Sequence, residues 1–168
     1  MKKIAISGSW MKSAPTIESD VRSAVRDIVL AGDGIVTGGA LGVDYFATDE
    51  YCKNDPTASR LLIFLPSTLE RYAAHYRKRA TEGVITNEQA EMLIAQLEGV
   101  IRANPHAIIE HPTNTVIDKD AYFGRITGIV NAADELMAFQ INGSLGTQDT
   151  IDKAHAKGIP VKVFSYTV

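Results

Sequence analysis

Short apolar segments alternate along this chain with longer segments whose apolar residues recur at helical spacing. Most of the apolar segments end at a glycine, a proline or a small polar residue. Because they lack the polar–apolar alternation of half-exposed strands, they indicate strands buried on both faces of a parallel sheet. The predicted strands are residues 4–7, 34–37, 61–65, 107–110, 136–141 and 161–164, and the predicted helices are residues 17–31, 43–53, 68–80, 87–103, 118–132 and 147–157.

This alternation predicts an α/β fold, a Rossmann-like three-layer sandwich with a mostly parallel sheet. The length of 168 residues fits a single domain, residues 1–168, that buries enough surface for a core. Residues 67–118 depart from the core pattern, and we expect them to form an α-helical insertion. The strongest element of this insertion is the amphipathic helix 87–103, for which Asn87 is the predicted N-cap residue.

Composition and charge narrow the class of protein. The formal net charge of −3 disfavours nucleic acid as a general partner without excluding it, since nucleic-acid-binding domains are usually basic. We expect no membrane span and a cytoplasmic location, because the chain has no run of about twenty apolar residues and no targeting segment. The single cysteine, Cys52, excludes an internal disulfide. No metal is predicted, because no group of His, Cys, Asp and Glu has the spacing of metal ligands.

Three predicted strands end in glycine and small hydroxyl residues. The first ends at residues 7–9, Ser-Gly-Ser; the second leads into residues 38–44, the first glycine loop; and the fifth leads into residues 142–147, the second glycine loop. The carboxyl ends of parallel strands share one edge of the sheet, which is where ligands bind in this fold class. Glycines there let backbone approach a ligand, and the N-termini of the following helices favour an anion.

These loops predict a small phosphate-bearing ligand of the nucleotide type as the partner, and no other cofactor. Neither the G-x-G-x-x-G dinucleotide fingerprint nor the P-loop sequence is present, so the ligand is not specified further. The predicted ligand- and phosphate-binding residues are Ser7, Gly8, Ser9, Gly38, Gly39, Ala40, Gly42, Asp44, Arg125, Gly143, Ser144, Gly146 and Thr147.

The glycine loops also carry a family resemblance. Residues 38–44, Gly-Gly-Ala-Leu-Gly-Val-Asp, resemble a signature of DNA-processing protein A (DprA/Smf). Residues 133–139, 143–147 and 154–161 are similar to both DprA and the LOG phosphoribohydrolases, which together form the SLOG superfamily. The resemblance covers residues 3–65 and 120–165. It implies a Rossmann-like fold that binds a nucleotide-derived ligand, with Arg125 facing the ligand phosphate.

One position departs from the LOG pattern. LOG enzymes carry a loop P-G-G-x-G-T-x-x-E whose glutamate takes part in cleaving an N-glycosidic bond. Aligned on residues 146–147, this chain has Asn142 in place of the proline and Thr150 in place of the glutamate. A threonine cannot serve as a carboxylate acid or base, so the sequence favours binding over catalysis. Asp149 and Asp44 are the carboxylates that would have to replace the glutamate.

Three functions therefore stay open: a sensor or carrier of a nucleotide-derived ligand, a LOG-like phosphoribohydrolase or other N-glycosidic-bond enzyme, and a small DprA-like protein that binds single-stranded DNA. For the last, Arg77 and Arg79 are the candidate contacts, with a solvated helix face as the alternative. Trp10 either stacks on a base or covers the core. Asp44 either complements the dipole of its helix or contacts a ligand hydroxyl. We also expect a homo-oligomer, a dimer, assembled through the amphipathic helix 87–103.

Overall fold

The structure is a computed structural model that describes residues 1–10, 12 and 14–168. The described strands and helices alternate along most of the chain. In chain order they are β1 (Lys3–Gly8), α1 (Pro15–Leu30), β2 (Gly34–Gly38), α2 (Val43–Asn54), β3 (Leu61–Phe64), α3 (Leu69–Thr81), α4 (Asn87–Ala103), β4 (Ile108–Ile109), α5 (Lys119–Ala132), β5 (Glu135–Ile141), α6 (Leu145–Lys157) and β6 (Val161–Tyr166).

The strands form one six-stranded sheet in the order β4-β3-β2-β1-β5-β6. Every strand pair in it is parallel, which confirms the α/β, Rossmann-like prediction. The chain builds the sheet outward from β1 to β4 and then returns to place β5 on the other side of β1. The carboxyl ends of β1 and β5 therefore lie side by side at the point where the strand order reverses, which is the usual ligand position in this fold.

Two apolar layers cover the sheet. Ile4 and Ile6 of β1 point into the larger layer, which also receives α1, α2, α3 and α4. Ala5, between them, points into the smaller layer, which holds α5 and α6. All five residues of β2 are buried, so this strand has no exposed face that would require a polar residue. Burial on both faces is the physical reason that the strands read as continuous apolar runs.

Several element boundaries differ by a few residues from the sequence prediction, and two of these differences have a clear physical reason. The N-cap of α4 is Thr86, whose side chain accepts from the backbone N–H of Gln89 at 3.0 Å, while the Gln89 side chain accepts from the backbone N–H of Thr86 at 2.9 Å. The prediction of Asn87 was wrong because this reciprocal capping box takes the cap one residue earlier. Helix α6 begins at Leu145 rather than at residue 147, and Leu145 is 87% exposed, so it adds nothing to the apolar periodicity.

Residues 67–118 contain α3 and α4 and also the edge strand β4, which pairs with β3. Their connection back to the sheet is polar: the side chain of Asn114 donates to Pro66 O at 2.9 Å, and His111 Nδ1 lies 2.7 Å from Leu65 O. Within the part of the chain that the structure describes, no helix combines the length and apolar character needed to cross a membrane.

Candidate ligand-binding site

A cavity of about 390 Å³ lies at the carboxyl ends of β1 and β5, and we call it the ligand cavity. Its walls come from the ends of these strands, the first turn of α6, the middle of α5 and the start of α2. Its size is within the range of small-molecule sites, roughly 300–1,000 Å³. Its lining combines apolar side chains, among them Ile6, Ile126, Ile129 and Ile141, with polar groups.

Most of the predicted ligand-binding residues line the ligand cavity. Those that line it are Ser7, Gly8, Ser9, Ala40, Asp44, Arg125, Ser144, Gly146 and Thr147. Four predicted glycines do not line it, namely Gly38, Gly39, Gly42 and Gly143. The structure thus brings predicted residues from both halves of the chain together in one cavity. The four glycines lie outside the cavity lining.

The second glycine loop is open. A side chain added at Gly143 or Gly146 would meet nothing within 4 Å. The first intrahelical hydrogen bond of α6 runs from Gln148 N to Ser144 O at 3.0 Å, so the backbone N–H groups of residues 145–147 have no carbonyl partner within the helix. The first turn carries no acidic side chain, and Ser144 makes no side-chain cap hydrogen bond. The positive end of the α6 dipole is therefore available to an anion at the ligand cavity.

The first glycine loop is packed. Gly42 has φ 76°, and a Cβ on it would lie 2.5 Å from Ser9 O. A Cβ on Gly38 would lie 2.7 Å from Asp44 Oδ2 and 3.2 Å from Arg125 Cζ. The missing side chain at residue 38 is what lets this carboxylate and this guanidinium approach each other. Both glycines are explained by packing, so their presence alone does not indicate a ligand.

Asp44 is buried beneath the first glycine loop and also lines the ligand cavity. One carboxylate oxygen accepts from Thr37 Oγ1 at 3.0 Å, and the other accepts from Ala40 N at 3.3 Å. Burial raises the pKa of Asp44 above its ordinary value, and the charge of Arg125 and the two hydrogen bonds offset only part of that effect. Asp44 thus holds the loop together, and a protonatable carboxyl lies at the edge of the cavity.

Arg125 projects from α5, and its position depends on two tyrosines. Its Nη1 donates to the hydroxyl of Tyr72 at 3.4 Å, and its Cζ lies 5.0 Å from the ring centroid of Tyr122. Tyr72 in turn donates to Gly39 O at 2.8 Å. The Nε atom of Arg125 is buried and has no hydrogen-bond partner among the described residues. A buried donor without a partner costs about 1–3 kcal/mol, so this site has an unused donor beside the cavity.

Sequence reasoning missed the two tyrosines. Tyr72 and Tyr76 lie four residues apart in α3 and are both buried, which is the usual pattern of core aromatic residues. Nothing in the sequence connects Tyr72 with Arg125, which lies on another helix. The available signal was weak: a buried tyrosine needs a hydrogen-bond partner, and this requirement does not say which partner it finds.

The position of the LOG glutamate has no free functional group. Thr150 is 2% exposed, its hydroxyl donates to Gly146 O at 3.0 Å, and it accepts from Ser7 Oγ at 3.3 Å. Asp149 is held by Lys153, whose Nζ lies 2.6 Å from Asp149 Oδ1. Of the two carboxylates that could replace the glutamate, Asp44 is the one that lines the ligand cavity.

Cationic and aromatic side chains lie at the rim. Lys12 and Trp10 line the ligand cavity, and Trp10 is 39% exposed. Arg77 pairs with Glu91 at 2.8 Å and Arg79 with Glu82 at 3.5 Å, which lowers the positive charge that the DNA-binding alternative requires of α3. Across the described residues, no group of three or more His, Cys, Asp and Glu side chains is placed to hold a metal ion.

Solved structures that are similar to this chain include two DNA processing proteins and a cofactor-binding protein. The DNA processing protein A of Helicobacter pylori, studied for its single-stranded DNA binding mode, matches with a TM-score of 0.69 and 18% identity over 96% of this chain and 64% of that chain. The molybdenum cofactor binding protein of Rippkaea orientalis has a TM-score of 0.60 and 18% identity, over 98% and 76%. DprA of Streptococcus pneumoniae has a TM-score of 0.57 and 15% identity, over 96% and 58%.

No model of a protein family matches the sequence, and a search of curated proteins finds no match either. The chain spans 64% and 58% of the two DNA processing proteins. At these identities, the likeness shows a shared fold and not a shared activity. The shared fold is Rossmann-like, which is the fold that the resemblance in residues 38–44 and 143–147 implied.

Proposed function

We propose that the protein binds a nucleotide or a nucleotide-derived phosphate ligand in the ligand cavity and acts as a sensor or carrier of that ligand. One observation carries the proposal: the open N-terminus of α6 and the partly unsatisfied guanidinium of Arg125 line the same cavity. Two neighbours in fold support it by what they bind, one single-stranded DNA and the other the molybdenum cofactor.

Phosphate binding follows from the groups present. The backbone N–H groups of Gly146 and Thr147 would donate to phosphate oxygens, and the hydroxyls of Ser144 and Thr147 lie in the same turn, 2.7 Å apart. Arg125 and Lys12 supply positive charge, opposed by the single carboxyl of Asp44. Hydrogen bonds to a charged group are worth about 1.5–3 kcal/mol each, so Arg125 alone accounts for roughly a tenfold to hundredfold effect on affinity.

Binding without cleavage is favoured because position 150, where LOG enzymes have a glutamate, is a threonine. The hydroxyl of Thr150 is committed to Gly146 O, and Asp149 is committed to Lys153. Neither residue offers a free carboxylate to the ligand cavity. The ligand would therefore be held and released unchanged.

The test is calorimetric titration with AMP, after a thermal-shift screen with a panel of nucleotides, ADP-ribose and cyclic nucleotides. We expect Arg125→Ala to weaken AMP binding by about 10-fold to 100-fold with the fold retained. Arg102→Ala, an exposed arginine on α4, is the matched control and should bind like the wild type. The proposal fails if no member of the panel shifts the melting temperature at millimolar concentration, or if Arg125→Ala keeps full affinity.

N-glycosidic cleavage is a second candidate, and the observation in its favour is Asp44, whose burial raises its pKa at the wall of the cavity. A carboxyl whose pKa is raised can act as a general acid. In this case AMP and one water molecule would be converted to adenine and ribose 5-phosphate, as measured by chromatography. Asp44→Asn would abolish this conversion, and Asp149→Asn would retain it. Stable AMP after prolonged incubation with the wild type excludes the reaction for this substrate.

A further inference from the structure

A second cavity, of about 380 Å³, adjoins the ligand cavity, and we call it the side cavity. Ile126 and Gly146 line both cavities, so the two cavities are direct neighbours. The side cavity lies between α3, the first turns of α5 and the start of α6. A ligand anchored at the N-terminus of α6 therefore has a second, equally large space directly beside it.

The walls of the side cavity are mostly aromatic and aliphatic, with Ile117, Ile126, Tyr122, Phe123 and His75. The Tyr122 hydroxyl and His75 Nε2 lie 3.2 Å apart, so the polar tips of these two side chains satisfy each other. Burial, followed by the nearby charge of Arg79, lowers the pKa of His75, which leaves its ring neutral at pH 7. The flat aromatic side chains of this wall match a planar ring with apolar faces. The charged lining residues are Arg79, Asp118 and Lys119.

The rim of the side cavity offers an acceptor. Asp118 caps α5 with one carboxylate oxygen, which accepts from Ala121 N at 2.9 Å. Its other oxygen has no hydrogen-bond partner among the residues that the structure describes. Carboxylates accept hydrogen bonds from the exocyclic amino groups of bases. The cavity thus combines apolar walls with a polar edge suited to an amino-bearing ring.

We infer that the side cavity is the base subsite of this protein and takes the amino-bearing nucleobase of a ligand whose phosphate lies at α6. The inference rests on the proposed function. Tyr122 connects the proposed phosphate site with the side cavity, because its ring contacts the guanidinium of Arg125 and also forms a wall of the side cavity. It assigns no base-stacking role to Trp10, which lines the ligand cavity and not the side cavity.

The experiment compares the affinities of AMP and ribose 5-phosphate by calorimetry. The wild type should bind AMP about tenfold or more tightly than ribose 5-phosphate, because only AMP carries a base. Ile117→Trp fills the side cavity and should lower AMP affinity to that of ribose 5-phosphate, whose own affinity stays unchanged and so reports an intact fold. Val116→Trp is the matched control: Val116 is the preceding residue, is 65% exposed and does not line the cavity.

Asp118→Asn supplies an independent arm, since asparagine keeps the helix cap. The wild type should prefer AMP to IMP, which has a carbonyl in place of the amino group, and Asp118→Asn should remove that preference. The base subsite is overturned if Ile117→Trp keeps the full advantage of AMP, if Trp10→Ala abolishes it, or if AMP and IMP bind the wild type equally. Each of these results leaves phosphate binding standing. Absence of binding by both AMP and ribose 5-phosphate overturns the proposed function as well.

Discussion

The two glycine loops look alike in sequence and differ in what surrounds their glycines. In the first glycine loop, side chains and backbone atoms occupy the space that a side chain at Gly38 or Gly42 would need. In the second, the space beside Gly143 and Gly146 is empty. The first loop is more similar to the DprA signature than the second is to the LOG loop, yet the second has the open backbone that an anion requires. A glycine motif therefore indicates close approach, and only the structure shows whether the approaching group is protein or ligand.

The largest expected effect comes from exchanging one glycine in each loop for alanine. Gly42→Ala combines a positive φ with a Cβ 2.5 Å from Ser9 O and 2.9 Å from Trp10 Cα, and we expect a loss of about 3 kcal/mol in the free energy of unfolding. Gly146→Ala lies in the first turn of a helix and should change stability by less than about 1 kcal/mol, in the stabilising direction. Urea denaturation of both variants measures this difference. Equal destabilisation would remove the contrast between the loops.

The second-largest expected effect concerns the affinity for the ligand phosphate. Gly146→Glu places a carboxylate in the first turn of α6, where it favours the helix dipole and repels a bound phosphate. We expect AMP affinity to fall by about 30-fold, equivalent to about 2 kcal/mol, with no loss of thermal stability. Gly146→Gln, of the same size and without charge, should lose much less affinity. Similar affinities for the two variants would place the phosphate away from α6.

A smaller effect is expected from Tyr72→Phe, which removes the hydroxyl between Gly39 O and Arg125 Nη1. The loss of this hydrogen bond should cost about 1 kcal/mol of stability and weaken AMP binding several-fold, since Arg125 loses a partner. Tyr76→Phe is the control, because the Tyr76 hydroxyl contacts only that of Tyr72, at 3.3 Å, among the hydrogen bonds described. An unchanged AMP affinity in Tyr72→Phe would show that the tyrosine does not position Arg125.

The smallest effect is a pH dependence in the first glycine loop. Burial raises the pKa of Asp44, so its stabilising contribution is fully present below its ordinary pKa and is lost as pH rises through the raised value. Unfolding free energies of the wild type and Asp44→Asn, measured between pH 4 and pH 7, should therefore differ more in favour of the wild type at the acidic end. A constant difference across this range would mean that Asp44 keeps an ordinary pKa.

Much of the fold could be predicted from the sequence because its central strands are buried on both faces. The apolar runs at residues 34–37 and 136–141 correspond closely to β2 and β5. The predicted boundaries were less accurate where local hydrogen bonds determine the end of a helix, as at Thr86. They were also less accurate where the first residue of a helix is exposed and adds nothing to the apolar pattern, as at Leu145. Residues 165 and 166 extend β6 beyond its predicted end, because pairing with β5 continues to Tyr166.

The candidate site was predictable only in part. The strand ends were recognised because parallel topology forces them to one edge, and this brought Ser7 and Ser144 together across the chain. The reason for Gly38 was not recognisable, since it depends on a carboxylate and a guanidinium that come from two different helices. The side cavity was also invisible, because its walls come from three helices whose packing no local pattern encodes.

The reversal of strand order beside β1 has a consequence for proteolysis and turnover. Because the ligand cavity takes walls from β1 and α2 on one side and from β5 and α6 on the other, it disappears when either half of the sheet opens. The proposed binding would then be linked to the integrity of the whole sheet, and ligand at a hundred times its dissociation constant would add about 2.7 kcal/mol to the unfolding free energy. In a cell that degrades opened chains, the abundance of this protein would follow the concentration of its ligand.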